Sequence, residues 1–230
     1  CNRGTVCAEL WKQKMKEDNM KTILADGANY KAGRQEPVSY LVMHFSGNNG
    51  DTAESNGNFF KNNKVQASAH YFVDENEIIV SVPETDTAWH CGDSGYRHPT
   101  CRNANSIGIA LCSREDIEGN YYFCKETVQR AETLVRLLMN KYGIKSERVL
   151  RHYDVTGKKC PAPFVENPAA WNAFLQSLQP DLGEVGGWAQ EVCHWASAKE
   201  LFPGTEKWKD PTTREAVAAI LYRFAVQLEK

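Results

Sequence analysis

The sequence predicts an α/β domain followed by a small helical hairpin domain at the C-terminal end. Two short apolar runs, residues 39–46 and 106–113, have the composition of buried strands. Apolar residues recur at helical spacing over residues 125–144, where Gly143 marks the end of a helix. Strands that alternate with helices are typical of α/β domains. A Pro- and Gly-containing break at residues 179–187 then separates this domain from two amphipathic segments.

The segments before the long helix alternate between strands and turns. Residues 1–20 are polar and weakly periodic, which predicts a leader or a short N-terminal helix. Residues 48–63 combine turn residues with a short helix, and residues 68–84 are typical of two strands joined by a turn at residues 74–76. A long irregular stretch follows at residues 85–105, and loops of that length are uncommon unless they carry function or are disordered.

The segments after the long helix complete the domain and begin a second one. Residues 148–154 favour a short strand, and residues 168–178 favour a helix. Within residues 188–230, Thr212 and Glu215 have the spacing of a capping box at the start of the last helix. A hairpin of this length buries too little surface to be stable alone, so it must pack on the first domain, on a repeat of itself or on a partner.

Composition excludes several classes of function. The net charge of the 230 residues is −2, with no basic tail or arginine stripe, so nothing indicates binding to nucleic acid. No apolar run reaches membrane-spanning length, and no signal peptide is recognised. The eight cysteines contain no CxxC pair, which argues against a zinc finger. Cys91 and Cys101 could form a disulfide across their loop, but two free thiols are equally compatible with the spacing.

Two histidines and a cysteine are candidates for a metal site. His44 ends the apolar strand in "VMHFSG", and the segment "RHYDVTGKKCPAP" carries His152 and Cys160. Two imidazoles and one thiolate form a ligand set of catalytic zinc, which keeps its fourth position open for water. Such a metal activates water and polarises a carbonyl group. The alternative is three unrelated residues in core and loops.

Five motifs in order resemble those of the zinc-dependent N-acetylmuramoyl-L-alanine amidases of the phage-lysozyme and peptidoglycan-recognition type. They are "VMHFSG", "ASAHYFVDENEII", "TAWHCG", "NSIGIALC" and "RHYDVTGKKCP". The resemblance spans residues 21–178 and implies a central mixed sheet flanked by helices. It implies Zn²⁺ bound by His44, His152 and Cys160, with Lys158 stabilising the oxyanion. A cation at that place would offset negative charge that develops in the transition state. The implied reaction cleaves the amide between N-acetylmuramic acid and L-alanine in bacterial peptidoglycan.

The sequence departs from the family at the expected general base. Many members carry a glutamate on the strand matching "SIGIALC", at the position that Ala110 occupies here. Relatives without it use a tyrosine that falls on His70 or Tyr71, whose side chains point to opposite faces of a strand. Alignment on Phe72 favours His70 as the base. The alternative function is a catalytically impaired or inactive peptidoglycan-binding protein, including one inactivated by an engineered substitution at residue 110.

The resemblance also suggests residues that contact the substrate. Trp89 and His90 lie in the loop that borders the substrate groove of the family, and Tyr71 is the further candidate there. An ordinary packed aromatic residue is the alternative for Trp89.

The C-terminal segment resembles part of a surface-layer-homology module. Residues 188–230 carry Trp, Phe-Pro and Thr-Arg-Glu landmarks of such modules, which attach proteins to cell-wall polymers. One copy predicts wall binding or a homodimer contact, and a structural hairpin is the alternative. The chain is therefore expected to act on the bacterial cell wall, either secreted or as a phage lysin released from the cytoplasm.

Overall fold

The computed structural model describes residues 20–92 and 95–179 of the chain. Ten strands are found in this part: β1 Met20–Thr22, β2 Tyr30–Lys31, β3 Tyr40–Phe45, β4 Tyr71–Val73, β5 Ile78–Val80, β6 Thr87–Ala88, β7 Ser106–Leu111, β8 Arg114–Glu115, β9 Tyr121–Tyr122 and β10 Val149–Arg151. The α-helices are α1 Ala53–Asn62, α2 Lys125–Tyr142, α3 His152–Thr156, α4 Ala162–Glu166 and α5 Pro168–Ser177. The predicted leader, linker and C-terminal hairpin lie outside the described residues, apart from Met20 and Gln179 at their borders.

A six-stranded mixed sheet forms the centre of the domain, which confirms the predicted fold class. Its strand order is β1-β5-β4-β7-β3-β10. All neighbouring pairs are parallel except β4 and β5, which pair antiparallel through the predicted turn. In that turn, Asp74 Oδ1 accepts hydrogen bonds from the backbone N–H groups of Asn76 and Glu77, at 2.7 and 2.8 Å.

The two faces of the sheet carry different layers. Because side chains alternate along a strand, Leu41 and Met43 of β3 face the main core, which helices α2 and α5 cover. Val42 and His44 point to the opposite face, where α1 and the long loop pack. The central strands β3 and β7 are buried on both faces, which explains why each is a continuous apolar run in the sequence.

The segment around His152 differs from its prediction. A strand was expected over residues 148–154, but β10 stops at Arg151 and the one-turn helix α3 begins at His152. The Arg151 backbone N–H and guanidinium bond the Asp154 carboxylate at 2.8 to 3.0 Å, which stabilises the start of the helix. Gly157, at φ 89°, ends it in the left-handed conformation that glycine adopts without strain. Within the described residues, no helix has both the length and the apolar character that crossing a lipid bilayer requires.

Candidate metal centre and its cavity

Parallel pairing brings the three predicted ligands together. His44 lies near the end of β3, and β10 runs beside it with Arg151 opposite Met43, so His152 emerges next to His44. After the turn at Gly157 the chain folds back, and the Tyr153 N–H donates to the Cys160 carbonyl at 2.8 Å. The ligand atoms of His44, His152 and Cys160 all lie within 4.8 Å of one another, and all three residues are buried.

The geometry of this cluster fits a zinc ion. With Zn–S near 2.3 Å and Zn–N near 2.05 Å, tetrahedral coordination places sulfur and nitrogen about 3.6 Å apart. The distance from Cys160 Sγ to His44 Nδ1 is 3.7 Å. Burial, and next the positive charges that His90 and His152 would carry, hold the pKa of His44 well below its ordinary value. His44 is therefore neutral at pH 7, which is the form that binds a metal.

A cavity of about 570 Å³ opens over the cluster, which is the size of an ordinary small-molecule site. The cluster itself, Lys158 and Ala110 form one part of its lining. The rest of the lining is Ala67, Ala69 and a set of aromatic and polar residues: Phe45, Phe59, Phe60, Phe72, Trp89, His90, Ser46, Asn48, Asp51, Ser55, Asn56 and Ser68. The cavity thus offers apolar contact surface and hydrogen-bonding groups beside the candidate metal.

The two adjacent lysines face different surroundings. Lys158 lines the cavity. Burial raises the pKa of the Cys160 thiol to about 11, against the lowering effects of a backbone hydrogen bond from Phe45 and, after it, of the Lys158 charge. Lys159 instead forms an ion pair with Glu166 on α4. The structure therefore brings Lys158, and not Lys159, to the cavity.

Two predicted site residues are not in the cavity lining, and their assignments need correction. His70 is fully buried: its Nδ1 accepts the Gly108 N–H at 2.9 Å, and its Nε2 lies 2.8 Å from Arg34 Nη2. With both ring nitrogens engaged, it cannot take a proton from water in the cavity. Tyr71 packs in the main core on the other face of the sheet, where its hydroxyl donates to Glu84 at 2.7 Å. It is too deeply buried to touch substrate.

Ala110 lies on β7, the strand on which the resemblance expected a glutamate. It pairs in register with His44, lines the cavity and is 5 % exposed. A methyl group cannot accept a proton. Asp51 is the one acidic residue among the described residues that line the cavity. Its carboxylate oxygens accept hydrogen bonds from Ser46 at 3.0 Å and Asn56 at 2.6 Å. The structure thus supplies no ionised carboxylate at position 110.

Sequence reasoning missed the relation between His90 and Gly108. His90 lines the cavity, as expected, but its Nδ1 also lies 3.0 Å from Nε2 of His44, one of the three candidate metal ligands. A Cβ atom on Gly108 would lie only 2.5 Å from His90 Cγ. A glycine inside a strand is the sequence signal of such a close approach.

Trp89 also lines the cavity, and its backbone pairs with Ser68 through two 3.0 Å hydrogen bonds.

The spacing left open whether Cys91 and Cys101 form a disulfide, and the structure holds them as two cysteines without a bond between their sulfur atoms. Both are buried in the cluster of side chains around Val42 and Val155.

Comparison with known families agrees with this geometry. The family model described as N-acetylmuramoyl-L-alanine amidase, Amidase_2, matches residues 34–163, which include all three candidate ligands. The chain belongs to the N-acetylmuramoyl-L-alanine amidase family. The resemblance that the five motifs carry is therefore confirmed at the level of family.

Two curated relatives of this amidase-family chain come from bacilli. It is 36% identical over 155 residues to the N-acetylmuramoyl-L-alanine amidase BlyA of Bacillus subtilis (strain 168), a match that covers 62% of this chain and 41% of BlyA. It is 34% identical over 155 residues to a probable N-acetylmuramoyl-L-alanine amidase of Bacillus licheniformis, covering 64% and 42%. The chain thus spans about two fifths of the length of these relatives.

Solved structures show the same fold. The catalytic domain of XlyA superposes with a TM-score of 0.58 at 26% identity, covering 70% of this amidase-family chain and 99% of that domain. A mutant endolysin from Bacillus subtilis gives a TM-score of 0.58 at 28% identity, covering 70% and 98%. Both matches cover almost the whole of the catalytic domain or endolysin chain compared.

Proposed function

We propose that this chain hydrolyses the amide bond between N-acetylmuramic acid and the L-alanine of the stem peptide in bacterial peptidoglycan. The observation that carries the proposal is the buried cluster of His44, His152 and Cys160 beneath a cavity, in a chain of the amidase family. The relatives reported above are named as amidases, which favours a hydrolase over a protein that only binds peptidoglycan.

The cofactor in this proposal is one Zn²⁺ per chain, held by His44, His152 and Cys160. When bound, zinc supplies Lewis-acid polarisation of the scissile carbonyl and activation of water. Three protein ligands would leave a fourth position for water or substrate, as in catalytic zinc sites, and the three residues that would hold the ion line the cavity.

Lys158 is the residue proposed to stabilise the transition state. Negative charge grows on the carbonyl oxygen when water attacks the amide, and a cation that lines the cavity beside the ligands offsets it. Trp89 is proposed to contact the substrate, because its side chain lines the same cavity. The expected effect of Lys158 is on turnover and not on metal binding, since it interacts with charge that appears during the reaction.

Ala110 makes the proposed enzyme slow. Loss of a general base costs about 10²–10⁴ in rate, so a measurable activity remains. Because Ala110 faces the cavity beside His44, a longer acidic side chain at this position would extend into open space near the reacting groups.

The experiment compares the chain with Ala110→Glu and Ala110→Gln variants on purified cell walls. Turbidity reports lysis, and mass spectrometry identifies the bond that is cut. We expect slow cleavage of the muramyl–alanine amide by the chain itself, and a gain of about 10²–10⁴ for Ala110→Glu. Ala110→Gln has the same size without a proton acceptor and should show no gain. Intact walls with every variant, alongside retained wall binding, would establish the binding protein instead.

The site of action and the wall contact of the tail belong to the same proposal. A peptidoglycan hydrolase works at the bacterial wall, either after secretion or as a phage lysin. Residues 188–230 are proposed to add affinity for a wall polymer or to form a homodimer contact, and to take no part in bond cleavage.

A further inference from the structure

The two ring nitrogens of His44 have different neighbours. His44 Nδ1 lies 3.7 Å from Cys160 Sγ, within the candidate metal cluster. His44 Nε2 lies 3.0 Å from His90 Nδ1, and the planes of the two rings meet at 87°. A neutral imidazole has one N–H and one lone pair, so the partner of Nε2 decides whether Nδ1 is free to bind a metal.

Ser106 fixes the hydrogen positions on His90. The Ser106 hydroxyl donates to the Arg102 carbonyl at 2.6 Å, and a carbonyl oxygen can only accept. With its hydrogen used in this way, Ser106 Oγ must accept from His90 Nε2, which lies 3.1 Å away. His90 therefore carries its hydrogen on Nε2. A neutral imidazole has a single N–H, so a hydrogen on Nε2 leaves His90 Nδ1 as a lone pair.

The hydrogen position on His90 determines the hydrogen position on His44. His90 Nδ1 is an acceptor, so His44 Nε2 is the donor of the 3.0 Å bond. His44 Nδ1 is then unprotonated, and it is the nitrogen that faces Cys160. The order of hydrogen bonds from the Arg102 carbonyl through Ser106 and His90 thus selects one tautomer of His44.

The place of His90 depends on the absence of a side chain at residue 108. Its ring lies against Gly108 of β7, where an added Cβ would approach His90 Cγ to 2.5 Å and His90 Cβ to 2.9 Å. The ring is therefore held between β7 and His44, with little freedom to turn.

We propose that His90 and Ser106 are positioning residues that fix His44 with Nδ1 directed at the metal. The proposal rests on the proposed function in one respect, namely that the cluster binds zinc. Residues that orient a metal-binding histidine in this way typically change metal affinity by ten- to a hundredfold when they are replaced.

The test measures zinc affinity by competition with a chromophoric chelator, together with the absorption spectrum of the Co²⁺-loaded protein. We expect His90→Ala to weaken zinc binding by about ten- to a hundredfold. Ser106→Ala should weaken it less, because His90 keeps its ring but loses the group that sets its tautomer. His90→Asn should restore much of the affinity, since the amide Oδ1 can accept from His44 Nε2.

The matched control is His98→Ala, in the same long loop. His98 Nδ1 accepts backbone N–H groups of Thr100 and Cys101, at 3.3 and 2.9 Å, so its loss affects loop stability. Its zinc affinity and Co²⁺ spectrum should match those of the unmodified chain. Unchanged affinity and spectrum in both His90→Ala and Ser106→Ala would overturn the proposal while the zinc site stands. An unmodified chain that binds no zinc would overturn the proposed function and this inference together.

Discussion

Lys158 and Lys159 are identical in chemistry and adjacent in sequence, yet their surroundings separate them. One lines the cavity and the other pairs with Glu166. We predict that Lys158→Ala, made in the Ala110→Glu background to keep rates measurable, lowers turnover by about 10²–10³-fold with unchanged zinc content. Lys159→Ala is the matched control and should retain the rate. Loss of zinc in Lys158→Ala would show that the lysine is structural.

His70 affects stability at acid pH. Burial, and next His90 and Arg34, hold its pKa well below the ordinary value of 6.5. Below pH 6.5 the unfolded chain therefore takes up a proton at His70 that the folded chain does not. Stability is full above this pH and falls as the pH is lowered, by about 1.4 kcal/mol per pH unit for each such proton.

The variant His70→Asn tests this assignment. Its amide oxygen can still accept the Gly108 N–H, but it does not titrate. We predict that the free energy of unfolding, measured with denaturant in the presence of chelator, falls less steeply from pH 6.5 downward than in the unmodified chain. At pH 8 the variant should lose about 1–3 kcal/mol because packing and a buried hydrogen bond are disturbed. Parallel pH profiles would contradict the buried neutral state of His70.

At the residue scale, the sequence predicts the location of those residues whose chemistry and motif point to the same site. His44, His152, Cys160 and Lys158 are found where the motifs place them. His70 and Tyr71 are not, because strand alternation tells which side chains share a face but not how deep each one is buried. His70 lies beneath His90 at a ring distance of 5.7 Å, and only the packing reveals this.

At the scale of elements, β7 carries a glycine whose small size matters to the site. We predict that Gly108→Ala displaces His90 and weakens zinc binding to about the extent of His90→Ala. Gly57→Ala is a matched control in α1, where the added Cβ would lie 2.8 Å from Ile79 Cγ2. It should lower stability through a steric clash and leave zinc affinity unchanged. Equal zinc affinities in Gly108→Ala and Gly57→Ala would show that zinc binding does not depend on the small size of Gly108.

The main elements follow from local signals in the sequence. Continuous apolar runs predict β3 and β7, and helical periodicity ended by Gly143 predicts α2. Gly143 follows the last residue of the helix and does adopt φ 63°. The short pairs β2–β6 and β8–β9 are not predicted, because two-residue strands have no periodicity to detect. Helix α3 is missed for the same reason: one turn held by Arg151 and Asp154 depends on contacts rather than on pattern.

At the scale of the whole molecule, the chain divides at Leu178 and Gln179 into two units. We predict that truncation after Gln179 preserves cleavage of a small soluble muramyl-peptide, because every candidate catalytic residue precedes that point. Binding to whole walls, or the dimer fraction in sedimentation, should fall. Equal binding and an unchanged oligomeric state would contradict a role in attachment, and loss of activity on the small substrate would show that the tail shapes the site.

The central claim is that His44, His152 and Cys160 hold a zinc ion. X-ray absorption at the zinc edge, on protein purified without chelators, tests it most directly. The predicted result is one zinc per chain with one sulfur neighbour at about 2.3 Å and histidine nitrogens at about 2.0–2.1 Å. A spectrum without a sulfur neighbour, or a protein that carries no zinc, would contradict the claim.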